Sequence, residues 1–221
     1  MPRPVNGSAP ASRDPRPYDA RRRQAAAEAT RQAVLVAAHE LFSTRGYAGT
    51  SVADVARAAG VAVDTVYASV GRKPRLLLAV HDLVLGEGAV PSDVRQRAYV
   101  QRVRAAPDAR TKIAVYAEAM GRLLPRTAPL LDALRSAAAT DDECAAVWTE
   151  LSERRAANMR LLAADLRATG ELRDDFTDEE VADLVWSLNG PEYFGLVSSR
   201  GRGPEEYAAL LADVLTRVLL R

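Results

Sequence analysis

The side chains between Thr50 and Lys73 are the ones whose arrangement points to a chemistry. Two short helical segments lie on either side of Gly60, and a positive residue, Lys73, opens the next helix. Two helices joined by a tight turn at a glycine are the plan of a helix-turn-helix. In that plan the second helix enters the major groove of DNA and the first crosses the phosphate backbone. Catalytic spacing is missing elsewhere: there is no G-x-G-x-x-G after a strand, no P-loop and no nucleophile elbow. Cys144 is the only cysteine, and His39 and His81 are far apart, so neither an intrachain disulfide nor a local zinc motif can form. No enzymatic activity, no cofactor and no metal are therefore expected.

The elements that must position this segment follow from composition and periodicity. The chain has 221 residues, 48% hydrophobic and 27% charged, enough for a core without covalent staples. No apolar run reaches the roughly 18 residues of a membrane span, and the N-terminus lacks the apolar stretch of a secretory signal, so a cytoplasmic protein is expected. Arginine supplies 28 of the 30 basic side chains, a bias read first as that of a GC-rich genome. The net charge of +1 hides an asymmetry, +5 over residues 1–85 and −4 over residues 86–221. Only the first part is suited to meet a polyanion.

Residues 1–20 are rich in proline and poor in apolar side chains, which predicts a disordered tail. Its Arg13 and Arg16, with Arg21, Arg22 and Arg23, form either an arm for the minor groove or a generic basic attraction to DNA. Val34, Leu35, Ala38, Leu41 and Phe42 give a first helix that ends at Gly46. Ser51 caps a second helix broken by Gly60, a third runs from about Val63 to Ser69, and a fourth opens around Pro74. Beyond Gly88 the spacing predicts helices over 94–104, 108–123, 129–139, 142–168, 178–189, 191–197 and 205–220. The fold class is all-α, with a three-helix helix-turn-helix domain over 21–85 and a larger helical effector and dimerisation domain over 86–221.

The run from Val34 onward closely resembles the DNA-binding domain of TetR-family transcriptional regulators. The matching elements are Ala38, Leu41-Phe42, Gly46-Tyr47, Thr50-Ser51-Val52, Val55-Ala56, Ala59-Gly60-Val61, Thr65-Val66-Tyr67, Lys73 and Leu76-Leu77. The resemblance implies phosphate contacts from Thr50, Tyr67 and Lys73, with Ser51 beside them. It assigns base readout to Ala62, Val63, Asp64, Thr65, Ala68 and Ser69, whose small side chains let a helix sit deep against thymine methyls. Asp64 reads either as an acceptor for a cytosine amino group or as a first-turn acid favoured by the helix dipole. The sequence departs from the family pattern at Ala62, where serine is frequent, at Val70, where phenylalanine is, and at Arg72, which adds a candidate phosphate contact.

In the second domain Tyr207, Leu210, Leu211, Val214, Leu215, Val218 and Leu219 form a wide apolar stripe, preceded by Val181, Leu184, Val185 and Leu188. TetR-like proteins pair such helices in a four-helix bundle, so a homodimer on a palindromic double-stranded operator is expected. Tyr116, Met120, Trp148, Met159, Trp186, Asn189 and Tyr193 are candidates for a pocket that takes a largely apolar small molecule, with Asn189 or Glu192 orienting it; core packing is the alternative for each. Together these features predict a ligand-released repressor. A regulator without a small-molecule effector, or an activator, fits the same residues.

Overall fold

The computed structural model describes residues 17–86 and 94–221. Ten α-helices follow one another: α1 (Pro17–Arg45), α2 (Val52–Ala59), α3 (Val63–Val70), α4 (Lys73–Leu85), α5 (Ala98–Ala105), α6 (Ala109–Ala137), α7 (Asp142–Arg167), α8 (Asp178–Leu188), α9 (Pro191–Ser199) and α10 (Pro204–Leu219). Among the described residues there is no strand, only one antiparallel bridge between Leu172 and Leu220 that ties the chain end to the loop after α7. The expected tail lies outside the described residues up to residue 16, whereas residues 17–20 belong to α1.

Two expectations for the helices need correction. The break placed between Leu123 and Pro129 is absent, and α6 runs on through Pro125 and Pro129. An interior proline removes a backbone donor and costs a helix about 3 kcal/mol. Here Leu123, Leu124, Ala128, Leu130 and Leu131 are all buried on either side of the prolines, and this packing holds the helix together. The stretch 94–104 is also not one helix: Val94–Gln96 form a 3-10 turn, and α5 starts after Arg97.

Two apolar clusters make the core. One joins Ile113, Tyr116, Met120 and Leu123 of α6 to Leu162 and Leu166 of α7, Val181 and Val185 of α8, and Tyr207, Leu211, Leu215 and Leu219 of α10. Helices α6 and α10 approach closely at Gly121, where an added Cβ would lie 2.8 Å from the Pro204 carbonyl oxygen and 2.9 Å from the Ala208 Cβ. The other cluster joins α1, α2, α3 and α4 to Leu130, Leu131 and Leu134 of α6 and to Cys144, Val147 and Leu151 of α7. The N-terminal helices therefore share a core with the helices that follow them.

Candidate nucleic-acid interface and effector chamber

The α2–α3 pair is built by local rules. Ser51 caps α2: its hydroxyl accepts from the Asp54 N–H at 3.1 Å, and the Asp54 carboxylate accepts from the Ser51 N–H at 3.0 Å. The Ser51 hydroxyl donating to the Asp54 carboxylate, then the Ser51 N–H, then Arg57 at 3.0 Å hold the half-buried Asp54 carboxyl at about 2, below its ordinary value. Gly60 ends α2 at φ 68, and the Val61 N–H returns to the Ala56 carbonyl at 3.0 Å. That left-handed turn favours glycine. It brings α3 across α2, where the buried Val66 anchors it against Val55 and Ala56. Val63, Asp64, Tyr67 and Ala68 then face outward, while Thr65 and Ser69 are half-buried.

The candidate contact residues divide into exposed and internally engaged groups. Tyr67 keeps 46% of its surface exposed. Thr50 keeps 1%, and its hydroxyl donates to the carbonyls of Leu41 (3.2 Å) and Gly46 (2.9 Å) while its N–H bonds Tyr47 O at 3.3 Å. With hydroxyl and amide both engaged, Thr50 fastens the end of α1 to the start of α2. The Ser69 hydroxyl donates to Val66 O at 3.0 Å, and its carbonyl accepts from the Arg31 guanidinium of α1. Lys73 places its ammonium 4.2 Å from the centre of the Tyr47 ring, and partial burial lowers its pKa. Arg72 is exposed and pairs with Glu143 of α7 at 3.4 Å, so a phosphate would compete with that carboxylate. Arg31 and Tyr47 were not among the candidates: their roles need the α1–α3 and α1–α4 packing, which local spacing does not record.

Residues 34–80 match the model of the bacterial regulatory proteins of the tetR family. These residues therefore carry the N-terminal domain of the tetR family. Curated protein sequences give no match. Solved structures agree in fold along most of the chain. A protein from Rhodococcus sp. classed with TetR-family transcriptional regulators superposes with a TM-score of 0.68 at 19% identity, covering 86% of this chain and 98% of its own. NalD of Pseudomonas aeruginosa, the secondary repressor of the MexAB-OprM multidrug efflux pump, gives 0.61 at 24% identity over 88% and 98%. FadR of Bacillus subtilis, in complex with stearoyl-CoA, gives 0.64 at 16% identity over 83% and 96%.

Two chambers meet among α4, α5, α6 and α7. The outer, about 160 Å³, lies among Val100, Val103, Leu161 and Leu162. The inner, about 50 Å³, is lined by Met120, Leu124, Thr127, His81, Arg97, Arg155 and Asn189 among others. Tyr99, Tyr116, Asn158 and Met159 border both. Of the expected pocket residues, Tyr116, Met120, Met159 and Asn189 line these chambers. Trp186 and Tyr193 do not; they pack on the outside of the C-terminal core. Trp148 belongs with the other cluster, under the DNA-binding helices. Glu192 is exposed and pairs with Arg135 at 3.6 Å.

A polar network closes the inner chamber. Asn189 Nδ2 donates to the Tyr116 hydroxyl and approaches Met159 Sδ at 3.1 Å, and Arg155 donates to Asn189 Oδ1 at 2.8 Å. Burial pushes the Tyr116 phenol well above its ordinary range. Arg154 grips Asp82 with two bonds of 2.6 and 3.1 Å, and Arg97 stands 3.6 Å from the same carboxylate. His81 Nδ1 and Arg97 Nε are buried without a hydrogen-bond partner. Sequence reasoning passed over His81, Arg97 and Arg155, because each is a single polar residue separated in sequence from the others and set in its own helical pattern. Among the described residues no group of three or more His, Cys, Asp or Glu could hold a metal ion, and no helix is long and apolar enough to cross a membrane.

Proposed function

We propose that this protein is a cytoplasmic transcriptional repressor that binds a palindromic operator as a homodimer and is released from it by a small molecule. The observation that carries DNA reading is the outward face of α3, where Val63, Asp64, Tyr67 and Ala68 stand clear of the core behind the Gly60 turn. Small side chains at 63 and 68 suit close approach to base edges and thymine methyls, and the Tyr67 hydroxyl suits a phosphate. In this reading residues 21–85 read DNA and residues 86–221 sense and pair.

Pairing is supported by half of the apolar stripe on α10. Tyr207, Leu211, Leu215 and Leu219 are spent inside the chain, whereas Leu210, Val214 and Val218, with Leu184 and Leu188 of α8, are only half-buried. Those five side chains form the face that a second copy would cover, as in a four-helix bundle. Release is supported by α4. Lys73 opens this helix beside the DNA-binding face, and His81 and Leu85 at its other end line the inner chamber. Eight residues of helix separate Lys73 from His81, about 12 Å. A ligand that prefers a shifted α4 weakens DNA binding by the ratio of its affinities for the two forms. NalD, a repressor, and FadR, with its bound acyl-CoA, share the fold and lend this reading support.

The test is sedimentation of the protein with duplex DNA from its own promoter region, with and without the small-molecule fraction of a cell extract. Two chains per duplex and a lowered affinity with extract are expected. One chain per duplex with specificity intact contradicts the dimer. An affinity that no fraction alters contradicts ligand release.

A further inference from the structure

The guanidinium groups at the inner chamber outnumber the carboxylates that pair with them, and a neutral imidazole stands beside them. Arg97 and His81 reach it almost wholly buried, at 9% and 3% exposure, and each keeps a nitrogen without a hydrogen-bond partner. Among the described residues the carboxylate that pairs with Arg97 is Asp82, at 3.6 Å, and it is already held by both Arg154 nitrogens. Arg155 lines the same chamber and bonds only neutral oxygens, Asn189 Oδ1 at 2.8 Å and Trp186 O at 3.4 Å, with the Trp186 ring 5.3 Å away. Glu192 acts on Arg155 only through its field: it makes no hydrogen bond or ion pair with it, is exposed and pairs with Arg135 at 3.6 Å. Buried guanidinium groups without matching carboxylates are costly to hold. They are the groups best suited to grip a planar anion.

The outer chamber is mostly apolar, with Val100, Val103, Leu161 and Leu162 in its walls, and Arg95, Arg104 and Asp165 also line it. Its volume of about 160 Å³ is close to that of an engineered cavity of about 150 Å³ that takes up benzene. The border between the chambers includes Met159, an unbranched thioether that can change rotamer to open a path. We propose that these chambers bind a small carboxylic acid, its ring or short alkyl body among Val100, Val103 and Leu162 and its carboxylate turned inward onto Arg155, Arg97 and the His81 edge. The inference rests on the ligand-release reading only for its regulatory consequence; the binding chemistry stands apart from it. Such a ligand completes the charge balance that the fold leaves open. It also presses on α4 at His81, directly beside the Asp82–Arg154 link between α4 and α7.

Calorimetric titration of the full-length protein with phenylacetate, benzoate and hexanoate, each beside its neutral amide, tests this. The acids are expected to bind at least about tenfold more tightly than the amides, the range of a charge-assisted hydrogen bond. Arg155→Met should lower acid affinity and leave amide affinity nearly unchanged, so the ratio falls toward one. Arg97→Gln should do the same to a smaller degree and serves if Arg155→Met does not fold. Amides or phenethylamine binding as tightly as the acids, or no acid binding at millimolar concentration, overturns the proposal. Operator affinity measured on the same samples separates the two readings. Acids that bind without releasing DNA refute ligand release and leave the binding chemistry intact. Neutral compounds that release DNA in place of acids do the reverse.

Discussion

At the residue scale, the chemistry of a side chain is decided by what already engages it. Thr50 matches the family pattern for a phosphate contact, yet its hydroxyl serves two carbonyls at the end of α1. Thr50→Val should therefore destabilise the fold by about 1–3 kcal/mol through those orphaned acceptors, measured by urea unfolding. A variant as stable as the parent would refute the positioning role. On α3 the exposed side chains should read bases and the flanking ones should anchor. Val63→Ala or Asp64→Ala should change which bases a selection from random duplexes prefers, whereas Lys73→Ala should weaken all sequences alike and reduce the salt slope by about one unit. The reverse pattern would exchange the two assignments. His81 is buried, and burial lowers its pKa against the pull of Asp82 and with the push of Arg97 and Arg154. The unfolded chain takes up a proton below a pH of about 6.5 that the folded chain resists. The stabilisation is thus complete above that pH and is lost as pH falls toward the lowered value. Unfolding midpoints at pH 7.5 and pH 5.5 should differ less in His81→Gln than in the parent, and an unchanged difference would contradict this.

At the element scale, the N-terminal helices were legible because capping and turn chemistry are local. Ser51 with Asp54, Gly60 and Pro74 mark helix ends within a few residues, and the observed bounds of α2 and α3 follow them. The continuity of α6 was not legible, since Pro125 and Pro129 argue locally for a break that packing of Leu123, Leu124, Leu130 and Leu131 overrules. The chamber was legible only in part. Tyr116 and Met159 stood out by type, but Arg97, Arg155 and His81 come together from the start of α5, from α7 and from α4, and no short spacing links them. One local defect remains: α3 starts at Ala62 with no side-chain cap. Ala62→Ser should add about 1 kcal/mol of stability by thermal or urea unfolding, and a loss of stability would show that position 62 cannot adopt the capping geometry.

At the scale of the whole molecule, the account depends on two recognition helices held at a fixed separation. Leu210, Val214 and Leu184 are half-buried and belong to the face proposed for pairing. Leu210→Glu should weaken self-association by about a hundredfold or more, the cost of an unpaired charge in an apolar contact, and should lower operator affinity while leaving the helical content unchanged. Sedimentation checks the first effect and circular dichroism the last; a dimer that tolerates Leu210→Glu without loss would place the interface elsewhere. Helix α4 packs into one core with Leu130, Leu131 and Leu134 of α6 and with Val147 and Leu151 of α7, the two long helices that also border the chambers.

The most direct test of the central claim is selection of duplexes from a random pool by the purified full-length protein at near-physiological salt. The account predicts enrichment of an inverted repeat whose half-sites lie about 34 Å apart, one helical turn, or somewhat more, with two chains bound per duplex. A pool that stays random after repeated rounds, or an enriched single half-site bound by one chain, would contradict it.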